Sequence, residues 1–261
     1  MKDWEKFEID ATKHLNDTFG DLAEFSHQGG ANSTNPDILV KTRSGNEFYI
    51  EAKLSNAQCG QFVLQPDIPT STFIYTAKNE QNEYANKITE YMNRDFESFK
   101  EAGTAGKEII MEQSIFANWI KTIYSGKNVK WFISENFILI PIEEIHNYFN
   151  IKAVYRVKRS GSSDVGKRNL SSVVTYIKTL EVSNSIIDYT FENAKLFVTS
   201  NNNIHNKRFI YNGYEYMFSE RANRYEVRKL SNTFNANVIF SVSLKNKADK
   251  YQEEFVSFLK G

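Results

Sequence analysis

Three charged residues in the first quarter of the chain have the types and the spacing needed for metal-dependent hydrolysis. Pro36-Asp37 is followed by thirteen residues and then by Glu51-Ala52-Lys53. Two carboxylates supply the hard oxygen ligands that Mg²⁺ prefers, and they leave coordination positions for a phosphate oxygen and for water. Such a metal polarises a phosphoryl group, and a nearby lysine stabilises charge on the phosphate or orients the water. The reaction that this set best supports is metal-assisted hydrolysis of a phosphodiester.

The local sequence predicts two adjoining strands that present these side chains. A mostly apolar segment, residues 37–41, precedes a turn and an alternating segment, residues 47–53. Because side chains alternate between the two faces of a strand, Glu51 and Lys53 should point the same way, roughly 7 Å apart. Pairing of the two strands can bring Asp37 beside them. Charged residues of these types are also common on solvated strands, and the strand–turn–strand context favours the functional interpretation.

Pro36-Asp37…Glu51-Ala52-Lys53 resembles the signature of the PD-(D/E)xK nuclease superfamily. Within that superfamily the layout is most similar to type II restriction endonucleases. The resemblance implies that Asp37 and Glu51 bind Mg²⁺ and that Lys53 assists the attacking water. It covers about the first quarter of the chain.

Two further positions follow from the same resemblance. Many members carry a glutamate on a helix before the motif, and the chain offers Glu5 and Glu8 there. Glu8 is the better candidate, because it lies beside an apolar stripe at helical spacing. Some members also carry a glutamine shortly after the lysine, a place that Gln58 or Gln61 can fill.

The resemblance implies a Mg²⁺-dependent endonuclease that cuts double-stranded DNA at a specific sequence and leaves 5′-phosphate and 3′-hydroxyl ends. Cutting both strands usually requires two sites, so we expect a symmetric homodimer. Two alternatives remain open. The first is a junction resolvase or repair nuclease of the same superfamily, which would recognise DNA shape. The second is a DNA-binding protein without catalysis, in which the carboxylates are incidental surface residues.

Composition excludes several other classes of protein. Lys+Arg and Asp+Glu both number 32, so DNA binding would require positive charge to be concentrated on one face. The lone Cys59 fits a reducing compartment and cannot build a disulfide framework or a zinc site. Neither a secretory signal nor an apolar run of membrane-spanning length is present, and we expect a cytoplasmic protein. There is no Walker motif for nucleotide hydrolysis.

A basic strand and loop form the second candidate site. Residues 151–159 alternate strictly, and a Ser/Gly-rich loop follows them. Such an element suits contact with a phosphate backbone, whereas most charged strand faces are simply solvated. The basic residues of this segment, which we predict to contact DNA, are Lys152, Arg156, Lys158, Arg159, Lys167 and Arg168.

We expect an α/β fold, with a mixed central β-sheet flanked by helices in a restriction-endonuclease-like core and a β-rich C-terminal part. Residues 1–150 would form the catalytic core and residues 151–261 the DNA-contacting region, although the two can also be one domain. Helical periodicity predicts helices over residues 3–19, 77–100, 108–124 and 248–259, the first capped by Asp3. The polar, glycine-containing segment 25–35 predicts a loop that leads into the first strand of the motif. Asn212-Gly213 predicts a hairpin with a type I′ turn.

Overall fold

The computed structural model describes residues 1–29, 35–76 and 81–261. The chain forms two compact units. The first contains Met1–Arg156 and Ala236–Gly261, and the second contains Val157–Asn235. None of the helices in the described ranges combines the length and the apolar character needed to cross a membrane.

Seven α-helices occur in the described residues: α1 (Asp3–Phe19), α2 (Glu83–Asn93), α3 (Phe96–Lys100), α4 (Gln113–Gly126), α5 (Ile145–Tyr148), α6 (Leu170–Ile177) and α7 (Gln252–Lys260). The strands of the first unit, two of which continue into the second, are β1 (Ala23–His27), β2 (Ile38–Thr42), β3 (Glu47–Ala52), β4 (Ala57–Asp67), β5 (Thr72–Tyr75), β6 (Lys107–Ile109), β7 (Val129–Ser134), β8 (Ile138–Pro141), β9 (Phe149–Arg159) and β16 (Phe234–Leu244). Those of the second unit are β10 (Ser162–Ser163), β11 (Ile186–Glu192), β12 (Lys195–Ser200), β13 (Arg208–Tyr211), β14 (Tyr214–Arg221) and β15 (Arg224–Leu230).

Two five-stranded sheets build the first unit. One has the order β1-β2-β3-β7-β8, and the other has the order β5-β4-β16-β9-β6. In the first sheet β3 and β7 are parallel, while the other neighbouring pairs are antiparallel. The sheet is therefore mixed, as the sequence predicts.

Helices α1 and α7 pack against the first sheet and cover its apolar side chains. Leu15 from α1 and Phe255 from α7 are fully buried in one cluster with Ile50 from β3. The Phe255 ring meets the Trp131 ring edge-on, with centroids 5.0 Å apart. Burial of a side chain as large as Phe255 stabilises a fold by roughly 1.5–3 kcal/mol. Packing of α7 therefore contributes to the stability of the first unit.

The domain division therefore differs from the expected one at residues 151–156 and 236–261. These segments lie with the first unit, because β9 and β16 are strands of its second sheet and α7 packs in its core. The chain enters the second unit near the end of β9 and leaves it at the start of β16. Sequence proximity alone suggested one continuous C-terminal region, whereas strand pairing returns the last 26 residues to the first unit.

The second unit has its own sheet and its own apolar core. Five strands follow the order β11-β12-β15-β14-β13, and β10 pairs with β15. Val173 and Ile177 from α6 are buried against Val227 and other residues of this sheet. Asn212 and Gly213 have φ angles of 48° and 73°, as a type I′ turn requires, so the predicted hairpin is confirmed.

Several local expectations are corrected by the structure. Residues 23–27 form strand β1, where a loop was expected from Phe25 onwards, and residues 107–109 form strand β6 rather than the start of a helix. Ile109 pairs with Ala153, so pairing across the sheet overrides local helical periodicity.

Asp3 is the first residue of α1 rather than its cap. Of the helix predicted over residues 77–100, the first four residues lie outside the described ranges, and the rest forms two helices.

Candidate active site

The register between β2 and β3 brings the two carboxylates of the motif together. Ile38 pairs with Ile50, so one residue further along Asp37 lies opposite Glu51. The backbone N–H of Ala52 donates a 2.9 Å hydrogen bond to Oδ2 of Asp37. The sequence-based expectation that strand pairing places Asp37 beside Glu51 agrees with this geometry.

Lys53 lies between the two carboxylates. Its Nζ is 2.7 Å from Oε1 of Glu51 and 3.9 Å from Oδ2 of Asp37. The backbone holds the residue in place, since its N–H donates to the carbonyl of Ile133 at 2.9 Å and its carbonyl accepts from the Ser134 hydroxyl at 2.7 Å. The C-terminal end of β7 therefore fixes the segment that carries the lysine.

Helix α4 contributes a buried tyrosine to the same cluster. The Tyr124 hydroxyl donates a 3.0 Å hydrogen bond to Oε1 of Glu51, the oxygen that also meets Lys53. Burial raises the pKa of Tyr124 well above its usual value, so the hydroxyl remains a donor. Burial also raises the pKa of the neighbouring Cys59 to about 12, which keeps this thiol neutral and makes it unsuitable as a nucleophile.

Glu8 reaches the site from the buried face of α1. Its Oε2 is 3.0 Å from Nε2 of His27, which lies at the end of β1. Gly29 lies directly against this pair of side chains. A Cβ built on Gly29 would overlap the Glu8 carboxylate and approach Nε2 of His27 to 2.6 Å. Glycine at this position thus leaves the space in which the two side chains meet.

The electrostatics of Asp37 show that the site concentrates negative charge. Burial, and next the charge of Glu51, raise the pKa of Asp37 from its ordinary 3.8 to about 7. The charge of Glu8 acts in the same direction, whereas Lys53 and the hydrogen bond from Ala52 act against it. Placing a cation among these groups would favour the ionised form of Asp37.

Lys53 remains a cation in this environment. Burial alone would lower the pKa of its ammonium group, but the charges of Glu51 and Asp37 outweigh burial and raise the pKa above its ordinary value. A protonated amine can donate hydrogen bonds and stabilise negative charge, while it cannot accept a proton. Lys53 is therefore suited to charge stabilisation rather than to general-base catalysis.

The donor set fits Mg²⁺ better than metals that need a complete protein cage. In the described part of the chain, no three His, Cys, Asp or Glu side chains form a group that could enclose a metal ion. Mg²⁺ is usually held by one or two carboxylates and keeps several waters, and Asp37 and Glu51 offer such a pair. Burial raises the pKa of Asp37 most and the charge of Glu51 raises it further, so a cation bound beside both carboxylates would offset the repulsion between them.

A cavity of about 400 Å³ adjoins this charged cluster. Its walls come from the first two turns of α1 and from the segment that follows β3, and they include Glu8, Lys53 and Gln58. Gln58 donates a 3.2 Å hydrogen bond to Gln61, and both side chains are exposed. Of the two glutamines considered for the position after the lysine, Gln58 is the one that lines the cavity.

The six basic residues predicted to contact DNA fall into the two units. Lys152 and Arg156 lie in the first, and Lys152 is paired with Glu108 at 2.8 Å. In the second unit Arg159 pairs with Glu215 at 2.5 Å. The other members, for which no acidic partner occurs among residues 1–29, 35–76 and 81–261, are Arg156, Lys158, Lys167 and Arg168.

Sequence reasoning missed two residues of the cluster, Tyr124 and His27. Tyr124 follows Phe116 and Ile120 at a spacing of four, so its hydroxyl was a polar group on the buried face of a helix, a signal that could have identified it. His27 shares a strand face with Phe25, but this segment was interpreted as a loop. Their contacts with the carboxylates of the cluster span 73 and 19 positions, which local sequence patterns do not reveal.

Fold and site together define an α/β protein with a buried carboxylate–lysine centre at the end of a mixed sheet. A solved structure of the HhaI endonuclease in complex with DNA is similar to this chain at 38 % identity, covers 100 % of both chains and gives a TM-score of 0.70. The chain belongs to the family of the HhaI endonuclease. The predicted fold class is thereby confirmed. The similarity of sequence and fold also supports the predicted relationship to restriction endonucleases. Neither the family models nor the curated proteins gave a match.

Proposed function

We propose that the protein is a Mg²⁺-dependent, site-specific endonuclease that hydrolyses phosphodiester bonds of double-stranded DNA, as a type II restriction enzyme does. The observation that carries this proposal is the convergence of Asp37, Glu51 and Lys53 in a chain of the HhaI endonuclease family. The order and the geometry of these residues also support assignment to the PD-(D/E)xK superfamily.

Each residue of the cluster has a distinct role in this proposal. Asp37 and Glu51 hold Mg²⁺. Glu8, which lies on the buried face of α1 and pairs with His27, adds negative charge beside them. A Mg²⁺ ion held there polarises the phosphoryl group and acidifies its bound water. Lys53, as an ammonium between the two carboxylates, stabilises the charge that develops on the phosphate and orients the attacking water.

Binding of the DNA backbone would draw on the basic residues without acidic partners. Phosphate contacts position a protein on DNA, and they need cations that are free to exchange their counterions. Lys158, Lys167 and Arg168 of the second unit meet this requirement better than Lys152 or Arg159, which already pair with Glu108 and Glu215. A homodimer remains part of the proposal, because double-strand cleavage usually requires two sites.

A cleavage assay on phage DNA with and without Mg²⁺ tests the function. Glu51→Gln should abolish cleavage, because it removes a carboxylate charge from the site. Glu47→Gln is the matched control, since Glu47 lies on the same strand but is exposed and pairs with Lys41 at 2.8 Å. Size-exclusion chromatography with light scattering reports the oligomeric state.

The pattern of products separates the alternatives. Discrete fragments that depend on Mg²⁺ and on Glu51 support a site-specific enzyme. Cleavage only of branched substrates would instead favour a resolvase or repair nuclease, and smearing would favour a nuclease without sequence preference. DNA binding without cleavage of varied phage DNA, under any tested concentration of Mg²⁺, would contradict the catalytic proposal.

A further inference from the structure

An exposed tryptophan lines the cavity beside the carboxylate–lysine cluster. Trp4 lies in the first turn of α1 with 41 % of its surface exposed, and it shares the cavity with Glu8 and Lys53. An aromatic side chain of this size is normally buried, because its exposure leaves a large apolar area in water. Trp4 thus presents a partly exposed aromatic surface at the wall of a charged cavity.

Packing within the first unit accounts for the neighbouring aromatic residue but not for Trp4. Phe7, one turn further along α1, stacks in parallel with Phe137 at a centroid distance of 6.1 Å. In the described part of the chain no ring stacks on Trp4, and the Lys2 ammonium lies beside it, with Nζ 5.6 Å from the ring centroid. The indole is thus an unused aromatic face with a cation beside it.

We propose that this cavity is a nucleotide subsite, in which the indole of Trp4 packs on the base or the deoxyribose next to the scissile phosphate. Aromatic rings stack on nucleotides without regard to sequence, and lysines beside them bind the adjoining phosphate. Lys53 belongs both to the cavity wall and to the carboxylate cluster, so the subsite is continuous with the proposed phosphate position. This inference rests on the proposed function and adds to it the contact that positions the substrate.

Tryptophan fluorescence tests the subsite directly. The chain has three tryptophans, and Trp119 and Trp131 are each only 2 % exposed, so fluorescence that acrylamide can quench comes from Trp4. The experiment uses the full-length Glu51→Gln variant and a duplex that contains the mapped cleavage site, with binding followed separately by anisotropy of labelled DNA. We expect bound DNA to protect the quenchable component, and Trp4→Phe to remove that component in the free protein.

A pair of variants measures the contribution of the contact to cleavage. Trp4→Ala should raise KM about tenfold and Trp4→Phe should restore most of the loss. Ile9→Ala is the matched control, because Ile9 is 43 % exposed on the same helix but does not line the cavity. A duplex with an abasic site next to the cleaved bond then distinguishes the two parts of the nucleotide, since the protection of Trp4 from acrylamide is lost if the base makes the contact and is kept if the sugar does.

Each outcome bears on the subsite and on the function separately. DNA that binds by anisotropy while the quenching of Trp4 remains unchanged would overturn the subsite and leave the proposed endonuclease standing. Equal effects of Trp4→Ala and Ile9→Ala on KM would also overturn it. Absence of any DNA binding would remove the basis of both proposals.

Discussion

The hydroxyl of Tyr124 and the ammonium of Lys53 meet the same oxygen of Glu51, at 3.0 and 2.7 Å. Tyr124 comes from α4 and Glu51 from β3, and the two residues are 73 positions apart in the chain. Two donors on one carboxylate oxygen fix the rotation of the group, so the carboxylate is oriented before a substrate arrives. Orientation of a proposed metal ligand by a buried hydrogen bond is a recognised determinant of metal affinity.

Replacement of Tyr124 by phenylalanine should weaken catalysis without unfolding the protein. The variant removes one hydrogen bond to Glu51 and keeps the ring that packs on Phe132, so we expect roughly a fivefold to tenfold loss of kcat/KM, which corresponds to about 1 kcal/mol. The concentration of Mg²⁺ at half-maximal rate should rise in the same variant.

The control for this variant is Tyr155→Phe. Tyr155 is also buried and also donates at 3.0 Å, but to the carbonyl of Leu64. Similar losses of thermal stability are expected for both variants, while the requirement for Mg²⁺ should change only for Tyr124→Phe. If both variants needed the same Mg²⁺ concentration as the wild type, Tyr124 would have no role beyond packing.

Substitution of Gly29 by alanine should disturb Glu8 and leave the rest of the fold intact. The added Cβ would occupy the space of the Glu8 carboxylate and lie 2.6 Å from Nε2 of His27, so the pair must separate. We expect cleavage to fall at least tenfold in a steady-state assay, with little change in DNA affinity. Gly126→Ala serves as control, because a Cβ there meets nothing within 4 Å. Unchanged cleavage by the Gly29 variant would show that the position of Glu8 is not needed.

The sequence was sufficient to predict the part of the site that depends on local structure. Alternation along β3 placed Glu51 and Lys53 on one side, and the short turn after β2 limited the register that brings Asp37 opposite. The helix that carries Glu8 was visible from its apolar stripe. These features are encoded within about fifty consecutive residues, where spacing and secondary structure determine the geometry.

Contacts between distant segments could not be predicted in the same way. His27 lies on a short strand whose polar surroundings resembled a loop, and its contact with Glu8 depends on pairing of β1 with β2. The return of β16 and α7 to the first unit likewise depends on pairing with β4 and on burial of Phe255. Such long-range packing overrides local propensity and leaves no periodic signal in one sequence.

Neutralising the unpaired basic residues should reduce the dependence of DNA binding on salt. Each phosphate contact contributes a slope of about 0.9 to the plot of log affinity against log salt concentration, so Lys167→Ala and Arg168→Ala should each lower it by nearly one. Lys152→Ala is the matched control, since Glu108 at 2.8 Å already pairs with this ammonium. Titrations of labelled DNA at several salt concentrations measure the slopes. Equal slopes for all three variants and the wild type would exclude the two residues from the DNA contact.

Cleavage should also depend on pH through the ionisation of Asp37. With a pKa of about 7, this carboxyl is largely protonated at pH 6 and cannot hold a cation well. We therefore expect the rate at limiting Mg²⁺ to rise with pH through this range, and a higher concentration of Mg²⁺ to move the rise to lower pH because the metal competes with the proton. Rate profiles at two Mg²⁺ concentrations test this, and coincident profiles would contradict it.

Asp37 should reduce the stability of the metal-free protein at alkaline pH. Its pKa in the folded protein, about 7, exceeds its ordinary 3.8, so between these values the folded state binds more protons than the unfolded state. The contribution of this group to the free energy of unfolding is greatest below pH 3.8. It falls as pH rises from there to about 7. At about 1.36 kcal/mol per pKa unit, the full shift corresponds to roughly 4 kcal/mol as an upper bound.

Asp37→Asn should consequently be more stable than the wild type at pH 8 without Mg²⁺, by roughly 1–4 kcal/mol, and the difference should fall to less than half of that at pH 5, which is closer to the ordinary pKa of 3.8. Lys53 keeps its 2.7 Å ion pair with Glu51 in this variant, so the substitution does not leave the ammonium alone. Urea denaturation at the two pH values measures the difference, with the exposed Asp10→Asn on α1 as control. Added Mg²⁺ should raise the stability of the wild type at pH 8 and have little effect on Asp37→Asn. An Asp37 variant less stable than the wild type at pH 8 would mean that the carboxylate of Asp37 stabilises the fold of the wild type. The site would then lack the uncompensated negative charge on which the proposed binding of Mg²⁺ depends.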